Sequence, residues 1–224
     1  MINKHSVMDA LCCDYSEYFE SFGCKLIYIP NSTVFLESYF SELPLVGLIL
    51  SGGNDISGDF TGQSNDDIRD AAPQRDHLEK RLLDIAIRRG LPVLGICRGL
   101  QFINCYFGGS ITRDIQKMNG ACVAHARASH RVCVCDSQAE EMLKCREMTV
   151  NSFHHQGIRE SQLSPALRLM ARSDDDIVEA LYHPHLPIAG VQWHPERGGD
   201  AKDKNAKLIQ AYLRRTHYWR ECNR

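Results

Sequence analysis

The stretch Pro92-Val93-Leu94-Gly95-Ile96-Cys97-Arg98-Gly99-Leu100-Gln101-Phe102-Ile103-Asn104 decides the fold. A continuous apolar run over 91–96 reads as a strand buried on both faces. Residues 100–107 read as a helix that stops at Gly108-Gly109. Between them lies Gly-x-Cys-x-Gly, a turn too short for anything but a sharp strand-to-helix reversal. The glycines relieve crowding there, and the residue at the apex is forced toward a strained backbone angle. At a helix N-terminus the Cys97 sulfur meets unpaired amides and the positive end of the helix dipole, which favours the thiolate. The same amides can bind an oxyanion. A small buried residue in an ordinary βα turn is the other reading of this pentapeptide.

Working outward, short apolar runs alternate with amphipathic segments. This predicts an α/β fold with an open, mostly parallel sheet covered by helices on both faces. Residues 9–22 read as a helix carrying Leu11, Tyr15, Tyr18, Phe19 and Phe22, and residues 25–29 as a strand stopped by Pro30-Asn31. A second strand over 45–50 runs into Ser51-Gly52-Gly53-Asn54-Asp55. Residues 57–73 read as a surface loop and 75–89 as a strong helix closed by Gly90. Beyond about residue 130 the pattern turns strand-rich, over 131–135, 148–152, 167–172, 177–182 and 188–193, before a closing helix at 202–214. No linker, composition shift or repeat interrupts it, so 1–224 reads as one domain with extra strands in its second half.

The composition removes several classes of function. With 26 basic and 28 acidic side chains among 224 residues, the formal charge of −2 gives no electrostatic reason to expect nucleic acid or an anionic membrane as partner. No segment approaches the ~18 apolar residues of a membrane span, and residues 1–10 carry no signal-like apolar stretch. A cytoplasmic location with free thiols is therefore expected for the ten cysteines. No pair has C-x-x-C spacing, so neither a structural zinc site nor any other metal or cofactor is assigned.

A nucleophilic thiol needs a base, and Gly190-Val191-Gln192-Trp193-His194-Pro195-Glu196 offers one at the end of an apolar strand. Residues two apart on an extended chain face one side, so Glu196 can hold one imidazole nitrogen of His194 while the other meets the sulfur. A surface His-Pro turn is the alternative. The cysteine elbow, His-x-Glu and the Ser51-Gly52-Gly53 turn all fall at carboxyl ends of predicted strands, where open α/β sheets place their sites.

Taken together, these motifs resemble the triad type of class I glutamine amidotransferase, with a Cys-His-Glu catalytic set, over nearly the whole chain. Ile49-Leu50-Ser51-Gly52-Gly53-Asn54-Asp55, the elbow and Val191-Gln192-Trp193-His194-Pro195-Glu196 are similar to the γ-glutamyl hydrolase branch. The resemblance implies hydrolysis of a γ-glutamyl amide through a thioester, with Cys97 as nucleophile, His194 as proton carrier, Glu196 as its orienter, and the amides of Gly53 and Arg98 as oxyanion hole. It implies substrate contacts from Gly52, Gln101, His130, Asn151, His154, His155 and Gln156.

Within that branch, Asp9-Ala10-Leu11, Ile29-Pro30-Asn31, Gln101-Phe102-Ile103-Asn104 and the loop ending at His130 resemble the small hydrolases that release cytidine diphosphoramidate from γ-glutamyl-CDP-amidate in capsule synthesis. His125, Arg127, His130 and Arg131 could form a basic patch for a leaving-group diphosphate, with solvated loop charge the favoured reading, whereas the Arg98 side chain reads as a brace of the elbow. Relatives open with an apolar strand, and residues 1–7 offer only a weak one. The rival readings are a glutaminase subunit serving a separate synthetase, a γ-glutamyl-γ-aminobutyrate hydrolase, and a catalytically idle binding module.

Overall fold

A computed structural model describes residues 8–214 apart from 63, 65–67, 69 and 119–121. The weak first strand expected over 1–7 lies outside the described residues. Three short strands, β1 (Leu48–Leu50), β2 (Val93–Ile96) and β7 (Ile188–Val191), form the parallel part of one sheet, with β2 between the other two. The second half of the chain adds β3 (Ala126–Val134), β4 (Glu147–Phe153), β5 (Arg168–Ser173) and β6 (Val178–Tyr182), which give the order β1-β2-β7-β6-β5-β3-β4. Every pairing beyond β7 is antiparallel. The α/β class and the extra strands stand as expected, and the sheet as a whole is mixed. Its antiparallel share arises because short connections, such as residues 174–177 between β5 and β6, permit only hairpin return.

Apolar side chains of the strands alternate between two buried clusters, one on each face. Leu94, Ile96, Ala189 and Val191 join one cluster, and Leu48, Leu50, Val93 and Ile188 the other. Helices α1 (Cys13–Glu20), α6 (Ser137–Leu143) and α7 (Lys202–Arg214) pack on the first face. Helices α2 (Leu36–Glu42), α4 (Pro73–Arg89) and α5 (Arg98–Tyr106) pack on the second. In α1, Tyr15 and Phe19 sit four residues apart on one stripe and are both buried, which anchors this two-turn helix. Helix α4 has proline in its first turn, Arg88 and Arg89 in its last, and Gly90 in the left-handed conformation that ends it.

Two expectations are overturned. Residues 25–29 form no strand: Ile27 and Tyr28 are half-exposed, and Lys25 faces water. The segment is apolar after Lys25, yet among the described residues it pairs with no strand. Residues 57–73 are not wholly a surface loop, because residues 55–58 are buried and open a one-turn helix, α3 (Gly58–Thr61). The strand expected over 45–50 shortens to its last three residues, and Val46 is exposed. Helix 9–22 likewise contracts to α1. No helix among the described residues is long and apolar enough to cross a membrane.

Gly99 shows how tightly α5 is laid on the sheet. A Cβ built on it would lie 2.0 Å from the Leu50 carbonyl oxygen, a backbone atom of β1 that cannot move aside. Gly99→Ala should therefore destabilise the fold by about 3 kcal/mol. The measurement is the urea midpoint at unchanged m-value, and a midpoint equal to wild type would refute the close packing.

Candidate active site

The carboxyl ends of β1, β2 and β7 are neighbours in the sheet, so the segments that follow them converge: the Ser51-Gly52 turn, Cys97, and Gln192 to Glu196. Cys97 has φ 53° and ψ −105°, a region that L-residues rarely adopt. It is held there from both sides. Its N–H donates to Val191 O at 2.8 Å, which extends the parallel ladder, and its C=O accepts from Gln101 N at 3.3 Å, the first bond of α5. The strain expected of the elbow is thus present at the sulfur-bearing residue itself.

Gly52 lies against this residue. A Cβ there would meet His194 Cε1 at 2.7 Å and Cys97 Cβ at 3.5 Å, so the missing side chain leaves room for the imidazole beside the cysteine. His194 Nδ1 is 2.6 Å from Glu196 Oε1, and all three of Cys97, His194 and Glu196 are buried. Burial alone would lower the His194 pKa. Hydrogen bonds to Cys97 and Glu196 and their negative charges outweigh it and raise the pKa to about 9. The ring is accordingly an imidazolium at neutral pH, able to stabilise negative charge on sulfur and to give a proton to a leaving amine.

Arg98 confirms the bracing geometry expected of its side chain. It is fully buried, with its guanidinium bonded to Asp76 and Glu79 of α4. Glu79 also accepts from Arg75 Nε at 2.7 Å, and Arg75 reaches Ser51 O at 2.7 Å and Gly52 O at 3.2 Å. Burial works to raise the Glu79 pKa, but the charges of Arg98 and Arg75 outweigh it, so Glu79 stays ionised. Elbow and glycine turn are therefore fastened to one helix. Tyr15 adds a further tie, its hydroxyl accepting from Gly52 N at 2.8 Å, and burial together with the Glu196 charge pushes its pKa up.

The residues expected to contact substrate divide into two groups. Gln101 is buried and donates from Nε2 to Gln156 O at 3.0 Å and Gln192 Oε1 at 3.1 Å, while Gln192 Nε2 donates to Cys97 Sγ at 3.5 Å. This chain of amides brings Gln101, Gln156 and Cys97 together. His155, partly exposed, stands 3.4 Å from Asp55 Oδ1.

Asn151, also expected at the pocket, is bonded to backbone. Its Nδ2 donates to the carbonyls of His194 and Gly198, both at 2.8 Å, and its Oδ1 accepts from His194 N at 2.8 Å. It clamps the backbone of His194, with both amide hydrogens committed. His130 and His154 turn into the interior toward Glu179.

The expected basic patch does not assemble. His125 is buried on Asp175, His130 on Glu179, and exposed Arg131 pairs with Asp174 and Glu147, which leaves Arg127 apart. These cations have acidic partners on neighbouring strands and in the turn between β5 and β6, which a reading along the sequence does not reveal. Sequence reading also missed Tyr15, Arg75, Asp76, Glu79, Gln192 and Glu179. The i,i+4 pair Arg75 and Glu79 was the one available signal, and on a helix it usually marks a solvated face.

The Peptidase C26 family profile matches residues 3–196. The chain belongs to this family. The γ-glutamyl-γ-aminobutyrate hydrolase of Escherichia coli K12 is 35% identical over 184 residues, which cover 75% of this chain and 71% of the relative. A glutamine amidotransferase-like protein of Lactococcus lactis is 29% identical over 90% of this chain and 87% of its own. The fold matches the glutaminase domain of a Trypanosoma brucei CTPS, solved with bound acivicin, at a TM-score of 0.65 and 15% identity over 92% of this chain and 88% of that one. The Peptidase C26 chain is thus class I glutamine amidotransferase-like and has γ-glutamyl hydrolases among its relatives.

The raised His194 pKa has a pH signature. A folded-state value above the ordinary 6.5 means that the ring's contribution to stability is fully present below 6.5 and is lost as pH rises through about 9. An NMR titration of His194 should give a midpoint near 9, moved down by Glu196→Gln. A wild-type midpoint at or below 6.5 would contradict the arrangement.

Proposed function

We propose that this protein is a cysteine hydrolase that cleaves a γ-glutamyl amide through a γ-glutamyl thioester, acting as one domain on a small-molecule substrate. The observation that carries the reading is His194 held between Glu196 Oε1, at 2.6 Å, and Cys97, with Cys97 at a left-handed strand-to-helix elbow. Membership of Peptidase C26 and the Escherichia coli relative support the same reaction class.

In this reading Cys97 Sγ attacks the γ-carbonyl carbon, and the oxygen takes up the displaced electron pair beside the amides of Gly53 and Arg98. Each such donor contributes on the order of 3 kcal/mol to the transition state. The C–N bond breaks as His194 protonates the departing nitrogen. Water then enters, His194 takes its proton, and the hydroxide attacks the thioester so that glutamate leaves and Cys97 is regenerated. Glu196 orients the imidazole and stabilises its charged form. Gly52, Gln101, His155 and Gln156 line the glutamyl side, with His130 and His154 behind them.

For the leaving group we favour cytidine diphosphoramidate, from γ-glutamyl-CDP-amidate, as the sequence resemblance implies. A feature beside His194 is compatible with it. Half-exposed Phe153 has its ring 5.9 Å from that of His194, and the Arg197 guanidinium lies 4.6 Å over it. A flat ring and a cation at this edge suit a leaving group with a base and phosphates. γ-Glutamyl-γ-aminobutyrate is the alternative substrate, and free glutamine, with ammonia passed to a separate synthetase, the alternative reaction. The location we propose is cytoplasmic.

The test compares wild type and Cys97→Ala on γ-glutamyl-CDP-amidate, γ-glutamyl-γ-aminobutyrate, γ-glutamyl polyamines and glutamine, with products followed by mass spectrometry. Wild type should release glutamate from one conjugate far faster than from glutamine, and Cys97→Ala should lose at least about 10⁴-fold in kcat with its circular dichroism unchanged. Undiminished turnover by Cys97→Ala would sink the hydrolase reading. Glutamine as the preferred substrate would establish the glutaminase alternative.

A further inference from the structure

Behind the pocket, three side chains from segments far apart in sequence point at one buried spot. His125, His154 and Glu179 offer a nitrogen, a nitrogen and an oxygen that all lie within 4.8 Å of one another. All three residues are at least nine-tenths buried. His125 adjoins the start of β3, His154 follows β4, and Glu179 sits in β6.

The hydrogen bonds around the cluster fix which atoms carry protons. His154 Nδ1 is 2.8 Å from Gln156 O, an acceptor only, so Nδ1 holds the ring hydrogen and Nε2 presents a lone pair. His125 Nε2 faces both oxygens of Asp175, at 3.1 and 3.2 Å, so its hydrogen is on Nε2 and its lone pair on Nδ1. Those two lone pairs face Glu179 Oε1 at 3.8 Å and 3.7 Å, too far for hydrogen bonds. Glu179 Oε1 accepts from His130 Nε2 at 3.1 Å, but Glu179 Oε2, His125 Nδ1 and His154 Nε2 have no hydrogen-bond partner among the described residues.

Three electron-rich atoms converging in the interior repel one another unless a positive charge sits among them. Protonating both rings would place two imidazolium centroids 4.9 Å apart, away from water. A single divalent ion would satisfy all three atoms at once.

The distances and surroundings fit such an ion. Ligand atoms ~2.1 Å from a tetrahedral centre lie about 3.4 Å from each other; the two nitrogen–oxygen separations, 3.7 and 3.8 Å, are close to that, and all three ligand atoms lie within 4.8 Å of one another. Each histidine already has the support that ligating histidines need on the opposite nitrogen: a carboxylate for His125, itself held by Ser173 Oγ at 2.6 Å, and a backbone carbonyl for His154. Two imidazoles and one carboxylate select a zinc-class transition metal rather than magnesium or calcium, which prefer oxygen ligands throughout.

We propose that His125 Nδ1, His154 Nε2 and Glu179 form a buried site for one zinc-class divalent ion. The ion is structural. It joins three segments of the antiparallel half and, through His154, fixes the Gln156 carbonyl against which Gln101 is held.

The experiment uses the full chain, reduced, stripped with a chelator and titrated with Zn²⁺ against a chromophoric competitor, then with Co²⁺. Wild type should bind one Zn²⁺ per chain. Glu179→Gln and His154→Gln should weaken binding by at least about 100-fold, and Cys97→Ala should leave it unchanged. The Co²⁺ spectrum should lack the charge-transfer band of thiolate ligation. Absence of Zn²⁺ binding by folded wild type, unweakened binding in both ligand variants, loss of binding in Cys97→Ala, or a thiolate band would each overturn the proposal. Should the ligand variants fail to fold, X-ray absorption on zinc-loaded wild type decides it: nitrogen and oxygen neighbours alone support the site, and sulfur neighbours refute it.

Discussion

A guanidinium with almost no contact with water must be paired, and the pairing of Arg98 organises the rest of the site. Stripping either carboxylate from such a buried set costs about 3–5 kcal/mol, because the remaining charge is left uncompensated. The pairing with Asp76 and Glu79 therefore fixes the roll of α5 against α4. Through Glu79 and Arg75 the same charges reach the carbonyls of Ser51 and Gly52, which sets the turn after β1 at a fixed distance from the turn after β2. The left-handed backbone of Cys97 is tolerable because both neighbouring elements are held from outside it.

The strands then do the positioning. With β2 between β1 and β7, the cysteine stands between the glycine turn and the His-Pro-Glu segment, and no long connection is needed to bring them together. Side chains carry the constraint further. Asn151 holds the backbone of His194, and the amides of Gln192 and Gln101 link the sulfur to the Gln156 carbonyl. That carbonyl is also where the buried histidines of the antiparallel half make contact through His154. The extra strands thus support the pocket from behind as well as enlarging the core.

Much of this could be read from the sequence where the signal was local. The Gly-x-Cys-x-Gly turn needs only its own neighbours to be sharp, and His194 and Glu196 are two residues apart on one strand end. Strands β2 to β7 and helices α4, α5 and α7 announced themselves by apolar periodicity and stop signals. The misreadings share a physical cause. Residues 25–29 are as apolar as a strand but have no partner among the described residues, and pairing is a property of the fold rather than of the segment. Asn151 looked like a pocket residue because its neighbours are, whereas its amide is spent on a backbone 43 residues away. The basic patch does not assemble because its carboxylate partners come from segments distant in sequence, and the convergence of His125, His154 and Glu179 was hidden for the same reason.

In the proposed reaction Cys97 becomes acylated by a γ-glutamyl group. The most direct test of this is acid-quench mass spectrometry of the protein during turnover of a γ-glutamyl conjugate, followed by peptide mapping. A mass increase of one γ-glutamyl group is expected on the peptide containing Cys97, disappearing as substrate is exhausted. Turnover without that adduct, or with the adduct on a different cysteine, would contradict it.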